Sequence, residues 1–373
     1  MQRPLLKKII KRIKRHGPIT VADYMAQCLM DLEHGYYQQR PVFGTKGDFI
    51  TAPEVSQIFG EMVGLWVADR WQALGCPKQV NLIELGPGRG TLMADILRIT
   101  QKIPGFHQAL SLHMVELSDQ LRRQQQDIVT PYHIPLTHHQ DFKDIQSDQP
   151  SIILGNEFFD ALPIQQFQKK QGVWYERMVT VTDTPEQQKT GDKKAPTLSY
   201  ALSPASAQLT LAHEYLRRAA KDGDVIEVCP AALSITADIA ALLHQNTGAA
   251  LFFDYGYSNH LCGDSFQALK NHAYVDPLAE PGFADLTAHV NFRALADAAT
   301  EKGLHVTGPV EQGHFLMTLG AGHRAQQLAS GKSAETQQEI LEALKRLTAP
   351  DQMGQLFKVI AFEQGTQSPA PGF

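Results

Sequence analysis

The stretch Asn81-Leu82-Ile83-Glu84-Leu85-Gly86-Pro87-Gly88-Arg89-Gly90-Thr91-Leu92 constrains this chain more than any other. An apolar strand ends in an acid, a loop with glycines at 86, 88 and 90 follows, and a helix begins. Such a step belongs at the carboxyl edge of a parallel sheet, where glycines let the backbone approach a ligand closely. A dinucleotide fingerprint would space its glycines G-x-G-x-x-G and carry no acid ahead of them, because pyrophosphate is an anion. Here the spacing is G-x-G-x-G, and Glu84 stands two residues ahead. A carboxylate at that point suits a cation. S-adenosylmethionine (SAM) carries a sulfonium and an ammonium and no phosphate, so it is the expected cofactor, seated on Glu84, Gly86, Gly88 and Gly90.

Two further strand ends extend that expectation. Leu112-His113-Met114-Val115-Glu116 closes on an acid that can take both hydroxyls of a ribose. The third strand leads to Asp141 and Phe142, an acid for the adenine amino group and an aromatic to stack on the ring. Any one of these acids alone reads equally as a solvated strand end; their order is what argues for a nucleoside. The fourth strand runs into Gly155-Asn156-Glu157-Phe158-Phe159-Asp160-Ala161-Leu162-Pro163, at the edge that faces the departing methyl. Asn156, Glu157 and Asp160 are therefore the catalytic candidates, with Glu227 and Asp254 in reserve. Without a catalytic function, the same residues would form a polar turn above an apolar core. The 15 histidines show no H-E-x-x-H or comparable set, so no metal is expected. His138 and His139, adjacent on a strand, point to opposite faces. There is no G-x-S-x-G elbow for a hydrolase.

From residue 79 onward, short apolar runs alternate with helical stretches, which argues for βαβ units and a doubly wound parallel sheet. The strands are Val80–Leu85, Leu110–Val115, Ile134–His138, Ser151–Leu154 and Ala249–Phe253, with later ones near Leu304–Thr307, Phe315–Leu319 and Leu356–Phe362. Helices fall at Thr91–Gln101, Ser118–Gln126, 231–244 and 291–301. Residues 1–75 read as a helical cap, and 76–373 as the core, interrupted by an insertion at 164–225 and a long loop at 256–290. Phe43–Phe49 reads as a glycine-punctuated loop. Thr51 heads a capping box with Glu54, after which Ile58, Met62, Leu65 and Trp66 share a face. In the insertion, strands at Gln165–Lys170 and Val173–Val181 flank Gln171-Gly172 as a hairpin, and Thr182–Thr197 is its solvated tip.

The net charge is −5, yet residues 1–15 hold seven bases and no acid. Phosphate neutralisation needs a basic face on the folded body, so nucleic acid is not the expected partner. Leu5, Leu6, Ile9, Ile10 and Ile13 repeat at helical spacing with the bases opposite, which predicts a docked amphipathic helix. No apolar run approaches the ~20 residues of a membrane helix. Cys28, Cys76, Cys229 and Cys262 lie far apart, which fits a reducing compartment. A cytoplasmic protein is the expectation; oligomeric state is not readable.

Longer ordered motifs then carry a resemblance. Gly47-Asp48-Phe49-Ile50-Thr51-Ala52-Pro53-Glu54-Val55-Ser56-Gln57, Glu84–Leu92, Asn156–Pro163, Asp254-Tyr255-Gly256 and Pro281-Gly282-Phe283-Ala284-Asp285-Leu286-Thr287-Ala288-His289-Val290 resemble the MidA-like family. This is the SAM-dependent methyltransferase family that includes the mitochondrial complex I assembly arginine methyltransferase. The resemblance spans Gly17-Pro18-Ile19-Thr20 to Met353-Gly354-Gln355-Leu356-Phe357-Lys358. It implies a class I, Rossmann-like methyltransferase core with an N-terminal helical cap and a β-hairpin insertion. It also implies methylation of an arginine on a protein partner, which in the mitochondrial branch is symmetric dimethylation on a respiratory complex I subunit. Two positions depart from the pattern, Asn291 for Asp and Cys229 for Ser. A non-catalytic SAM-binding assembly factor, or a methyltransferase for a small molecule or RNA, are the alternatives.

Overall fold

The computed structural model describes residues 4–39, 51–182 and 196–373. The expected loop at Phe43–Phe49, the Gly47–Ile50 part of the family motif and most of the expected Thr182–Thr197 tip lie outside them. The strands Val80–Leu85 (β1), Leu110–Val115 (β2), Leu136–His139 (β3), Ser151–Asn156 (β4), Gly248–Tyr257 (β5), His305–Glu311 (β6) and Phe357–Gln364 (β7) form one sheet. Their order is β3-β2-β1-β4-β5-β7-β6. Neighbours from β3 to β5 pair parallel, and β7 runs antiparallel to both β5 and β6. This is the doubly wound core expected of a class I methyltransferase.

Helices cover both faces, and so β1 is buried at every residue, its apolar Val80, Leu82, Ile83 and Leu85 interrupted only by the buried polar Asn81 and Glu84. Val80 and Leu82 pack with Ile58, Phe59, Met62 and Trp66 of the helix Gln57–Ala73 and with Met93 and Ile96 of Thr91–Thr100. Ile83 and Leu85 turn the other way, onto Ile239 and Leu243 of Pro230–Asn246 and Leu295 of Phe292–Glu301. The helices Gln57–Ala73 and Thr91–Thr100 approach closely because Gly60 has no side chain: a Cβ there would lie 2.5 Å from that of Asp95. Asn291, the departure from Asp, does the work of a carboxylate cap, its Oδ1 accepting from Ala294 N–H at 3.0 Å.

Arg70 is fully buried and ties this helical face to the C-terminal segment. Its Nη1 donates to Glu363 on β7 at 2.7 Å and to the Ser368 carbonyl at 2.8 Å, and its Nη2 donates to the Pro369 carbonyl at 2.8 Å. Replacing it by methionine leaves the Glu363 charge buried without its partner. Arg70→Met is expected to cost about 3–5 kcal/mol in chemical denaturation. A loss below about 1 kcal/mol would mean that Glu363 finds other compensation.

The insertion contains more than the expected hairpin. Lys170 does pair with Val173 across a turn in which Gln171 (φ 54°) and Gly172 (φ 76°) are left-handed. The strands Thr197–Pro204, Val225–Val228 and Ile19–Thr20 extend it to five. The expected loop at 256–290 folds in part as a three-stranded sheet of Gln267–Lys270, Ala273–Val275 and Asp285–Thr287. Strands this short show no alternation to read. Phe315–Leu319 is not a strand but lies largely in the helix Gln312–Thr318, with Gln312, Phe315 and Leu316 buried at helical spacing. A short apolar run is ambiguous between the two. The helix Pro4–His16 docks as expected through Leu5, Ile9 and Ile13.

The Thr51 capping box is corrected too. Thr51 makes no side-chain cap bond, the first helix ends at Val55, and Ser56 caps the next one through Ile58 N–H. Leu65, expected on the buried face, is exposed.

Candidate active site

The carboxyl ends of β1 and β4 open onto a solvent-connected cavity, lined by Glu84, Gly86, Pro87 and Gly88 from the first and Asn156, Glu157 and Asp160 from the second. Arg89, Thr91 and Leu92 continue the first segment, and Tyr37, Thr51, Pro53, Glu54 and Asp285 complete the lining from distant parts of the chain. Five of the lining residues are acids, Glu54, Glu84, Glu157, Asp160 and Asp285, against one base, Arg89. That base is spoken for. Arg89 Nη1 donates to Glu54 at 3.2 Å, and the Thr91 hydroxyl donates to the same carboxylate at 2.9 Å. Glu54 therefore clasps the glycine loop instead of capping its own helix, a role its capping-box spacing concealed.

Glu84 is 3% exposed, and its Oε2 has no hydrogen-bond partner among the described residues. Burial, with the Glu116 charge nearby, pushes its carboxyl up to about 8. A buried carboxylate with an orphaned oxygen calls for a proton or a cation. The donor set thus fits the sulfonium and ammonium of SAM. Gly86 (φ 62°) and Gly88 (φ 52°) are both left-handed. A Cβ on Gly86 would lie 3.2 Å from the Phe158 ring. Gly86→Ala is expected to weaken binding of S-adenosyl-homocysteine about tenfold by calorimetry, through backbone strain and the displaced ring. Unchanged affinity would show that the loop absorbs the methyl.

The loop after β4 is held under strain. Glu157 is a non-glycine residue at φ 51°, with its N–H on the Phe253 carbonyl at 2.9 Å. Its Oε1 accepts from Ala52 N–H at 3.3 Å and from Asn156 Nδ2 at 3.2 Å. Burial, reinforced by the Asp160 charge, pushes its carboxyl up to about 8. Asp160 accepts the Tyr255 hydroxyl at 2.6 Å on Oδ2, while its Oδ1 has no partner among the described residues. Burial pushes it up to about 6, with the Tyr255 bond opposing. Asp254 takes the N–H groups of Phe159 and Asp160 at 3.0 and 3.1 Å and so rivets the loop to β5. Glu227, the other reserve acid, faces a second cavity instead, bonded to Gln166 at 2.7 Å and Ser265 N–H at 3.0 Å.

The remaining expected residues do not line the main cavity. Gly90 (φ 82°) opens the helix behind it. Glu116 accepts Ser118 N–H at 2.8 Å. Asp141 caps the turn Phe142–Asp144 through Lys143 N–H, and the Phe142 ring is buried in the core beside Ile83 and Leu85.

Comparison with known proteins agrees with this geometry. Residues 62–310 match the model of a family of S-adenosyl-L-methionine-dependent methyltransferases. The Drosophila melanogaster "Protein arginine methyltransferase NDUFAF7 homolog, mitochondrial" is 36% identical over 97% of this chain and 85% of its own length. The Homo sapiens "Protein arginine methyltransferase NDUFAF7, mitochondrial" is 36% identical over 96% of this chain and 83% of its own. A Burkholderia thailandensis protein crystallised with S-adenosyl-homocysteine superposes with a TM-score of 0.82 at 26% identity, over 98% of this chain and 93% of that one. The relatives' names overturn the cytoplasmic expectation, since they are mitochondrial. Scattered cysteines and the lack of a long apolar run do not distinguish one reducing compartment from another. With the family model, the relatives and the cavity in agreement, the chain belongs to the S-adenosyl-L-methionine-dependent methyltransferase family of these arginine methyltransferases.

Proposed function

We propose that this chain methylates an arginine side chain of a protein. The observation that carries the reading is the acid-rich cavity, in which Glu157 and Asp160 stand beside the cation-seeking Glu84. The naming of the curated relatives as protein arginine methyltransferases supports it. When bound, SAM supplies an electrophilic methyl on its sulfonium. In this reading Glu84, Gly86 and Gly88 hold the cofactor, Gly90 sets the helix behind them, and Glu116 takes the ribose hydroxyls.

Arginine is a poor nucleophile because its positive charge is spread over the guanidinium and its pKa exceeds ~12. Glu157 and Asp160, set against two of its nitrogens, concentrate that charge there and leave the third nitrogen's electron pair available. The Asn156 amide steadies Glu157, and its Oδ1, which has no partner among the described residues, accepts an N–H of the incoming group. A substituted guanidinium must lose a proton, and the Glu157 carboxyl, raised by burial to about 8, is suited to take it. Enclosure in the cavity supplies the rest, by orienting the nucleophile and excluding water.

The test is incubation of cell lysate with this protein and radiolabelled SAM, followed by mass spectrometry of the labelled species. Label on an arginine of a protein is the expected result, and a subunit of a respiratory complex, which the family resemblance implies, is the first to inspect. Label confined to RNA or a small molecule would overturn the acceptor. Tight SAM binding with no transfer would favour a non-catalytic assembly factor.

A further inference from the structure

Gln125, on the helix Asp119–Val129, is fully buried and touches the glycine loop from behind. Its Nε2 donates to the Gly88 carbonyl at 2.7 Å and reaches Glu116 Oε2 at 3.4 Å. Its Oε1 stands 2.9 Å from His138 Nε2 on β3. The Gly88 carbonyl can only accept, so the amide nitrogen must face it. The amide oxygen then faces His138, which must donate, and this requires the Nε2–H form of the imidazole. Turned over, the amide would set its oxygen against a carbonyl and a carboxylate together. One side chain with one permitted orientation therefore joins the glycine loop to Glu116.

The surroundings hold that side chain in place. A Cβ on Gly90 would lie 3.4 Å from Gln125 Cγ, an ordinary contact distance, so the helix lies directly against the loop. Arg122, one turn earlier, donates through Nε to the Glu116 carbonyl at 2.7 Å and through Nη2 to the His139 carbonyl at 3.2 Å. Arg122 thus fixes the backbone of Glu116, while Ser118 N–H and Gln125 hold one carboxylate oxygen each.

We propose that Gln125, kept in one orientation by His138, is a positioning residue that aims the Glu116 carboxylate at the ribose hydroxyls of the cofactor. The inference rests on the reading of Glu116 as the ribose acid. Leucine at 125 keeps most of the volume but donates nothing, and leaves the Glu116 carboxylate to the backbone N–H groups of Leu117 and Ser118. A merely structural Gln125 would weaken every ligand of the site by one common factor. A positioning Gln125 weakens ligands according to the ribose hydroxyls they carry, so the two roles separate in a cycle that changes protein and ligand together.

The experiment is calorimetry of S-adenosyl-homocysteine and its 2′-deoxy analogue on the full chain, comparing the natural sequence with Gln125→Leu and His138→Phe. The natural sequence is expected to prefer the hydroxylated ligand about 30-fold, Gln125→Leu about threefold, and His138→Phe to fall between. A full preference retained in both variants overturns the proposal. No preference in the natural sequence removes the Glu116 reading instead. Nitrogen NMR of His138 gives a second arm that needs no variant: the Nε2–H form is expected, and the Nδ1–H form overturns the proposal even if Gln125→Leu fails to fold.

Discussion

Glu157→Gln is expected to cut turnover about 100-fold while leaving SAM affinity within about threefold, a loss of about 2.7 kcal/mol from the transition state. Glutamine nearly preserves the shape. Its amide oxygen can still accept the Ala52 and Asn156 N–H groups that Glu157 Oε1 accepts. What it removes is the charge that would hold a guanidinium. The pH profile provides an independent check. Burial raises the Glu157 carboxyl to about 8, so in the free enzyme the gripping form accumulates as pH rises. The kcat/KM of the natural sequence should climb toward pH 8, and that rise should flatten in the variant. If Glu157 only ties the loop to Ala52, the variant should instead melt lower and bind SAM less well with little change in rate. Unchanged turnover with an unchanged melting curve would remove Glu157 from the mechanism and leave Asp160 as the next candidate.

What the sequence disclosed follows the range of the interactions involved. The strand-to-glycine-loop step at the sheet edge was legible because its parts are contiguous: an apolar strand, Glu84 and the glycines lie within a few residues of one another. The acids after β4 were legible through strand order, since the sheet brings the ends of β1 and β4 together whatever occupies the intervening chain. Glu54 was misread because its spacing from Thr51 satisfies a local rule, whereas its partners Arg89 and Thr91 are distant in sequence. Tyr37 and Asp285 reach the cavity from segments whose paths depend on packing, with no local pattern to mark them. The pairing of Ile19–Thr20 with Met178 and Val179 is of the same kind. Two residues of strand carry no periodicity, and only the folded insertion gives them an edge to join.

Glu84→Gln is expected to weaken S-adenosyl-homocysteine by about 100-fold or more and, at pH 8, to raise the melting temperature of the ligand-free protein by several degrees. Both effects come from one cause. In the fold, the Glu84 carboxyl is raised from its usual 4.5 to about 8, first by burial and then by the Glu116 charge. The unfolded chain releases this proton near its ordinary pKa while the fold retains it. Glu84 therefore subtracts progressively from stability as pH rises from about 4.5 to about 8, above which the folded form ionises as well. Glutamine has no proton to lose, so the two melting curves should nearly meet near pH 5 and diverge toward pH 8. A cation entering the cavity does for Glu84 what the proton did, which makes binding and deprotonation the same event. Below pH 8, the natural sequence should release up to one proton as SAM binds, measurable by calorimetry in buffers of different ionisation heat. The variant should release less. Equal affinity and parallel pH curves in the two proteins would mean that the orphaned oxygen is satisfied by water, and Glu84 would lose its place in the cofactor site. A stabilising substitution that abolishes binding would instead mark Glu84 as a group kept at a cost to the fold because the ligand needs it.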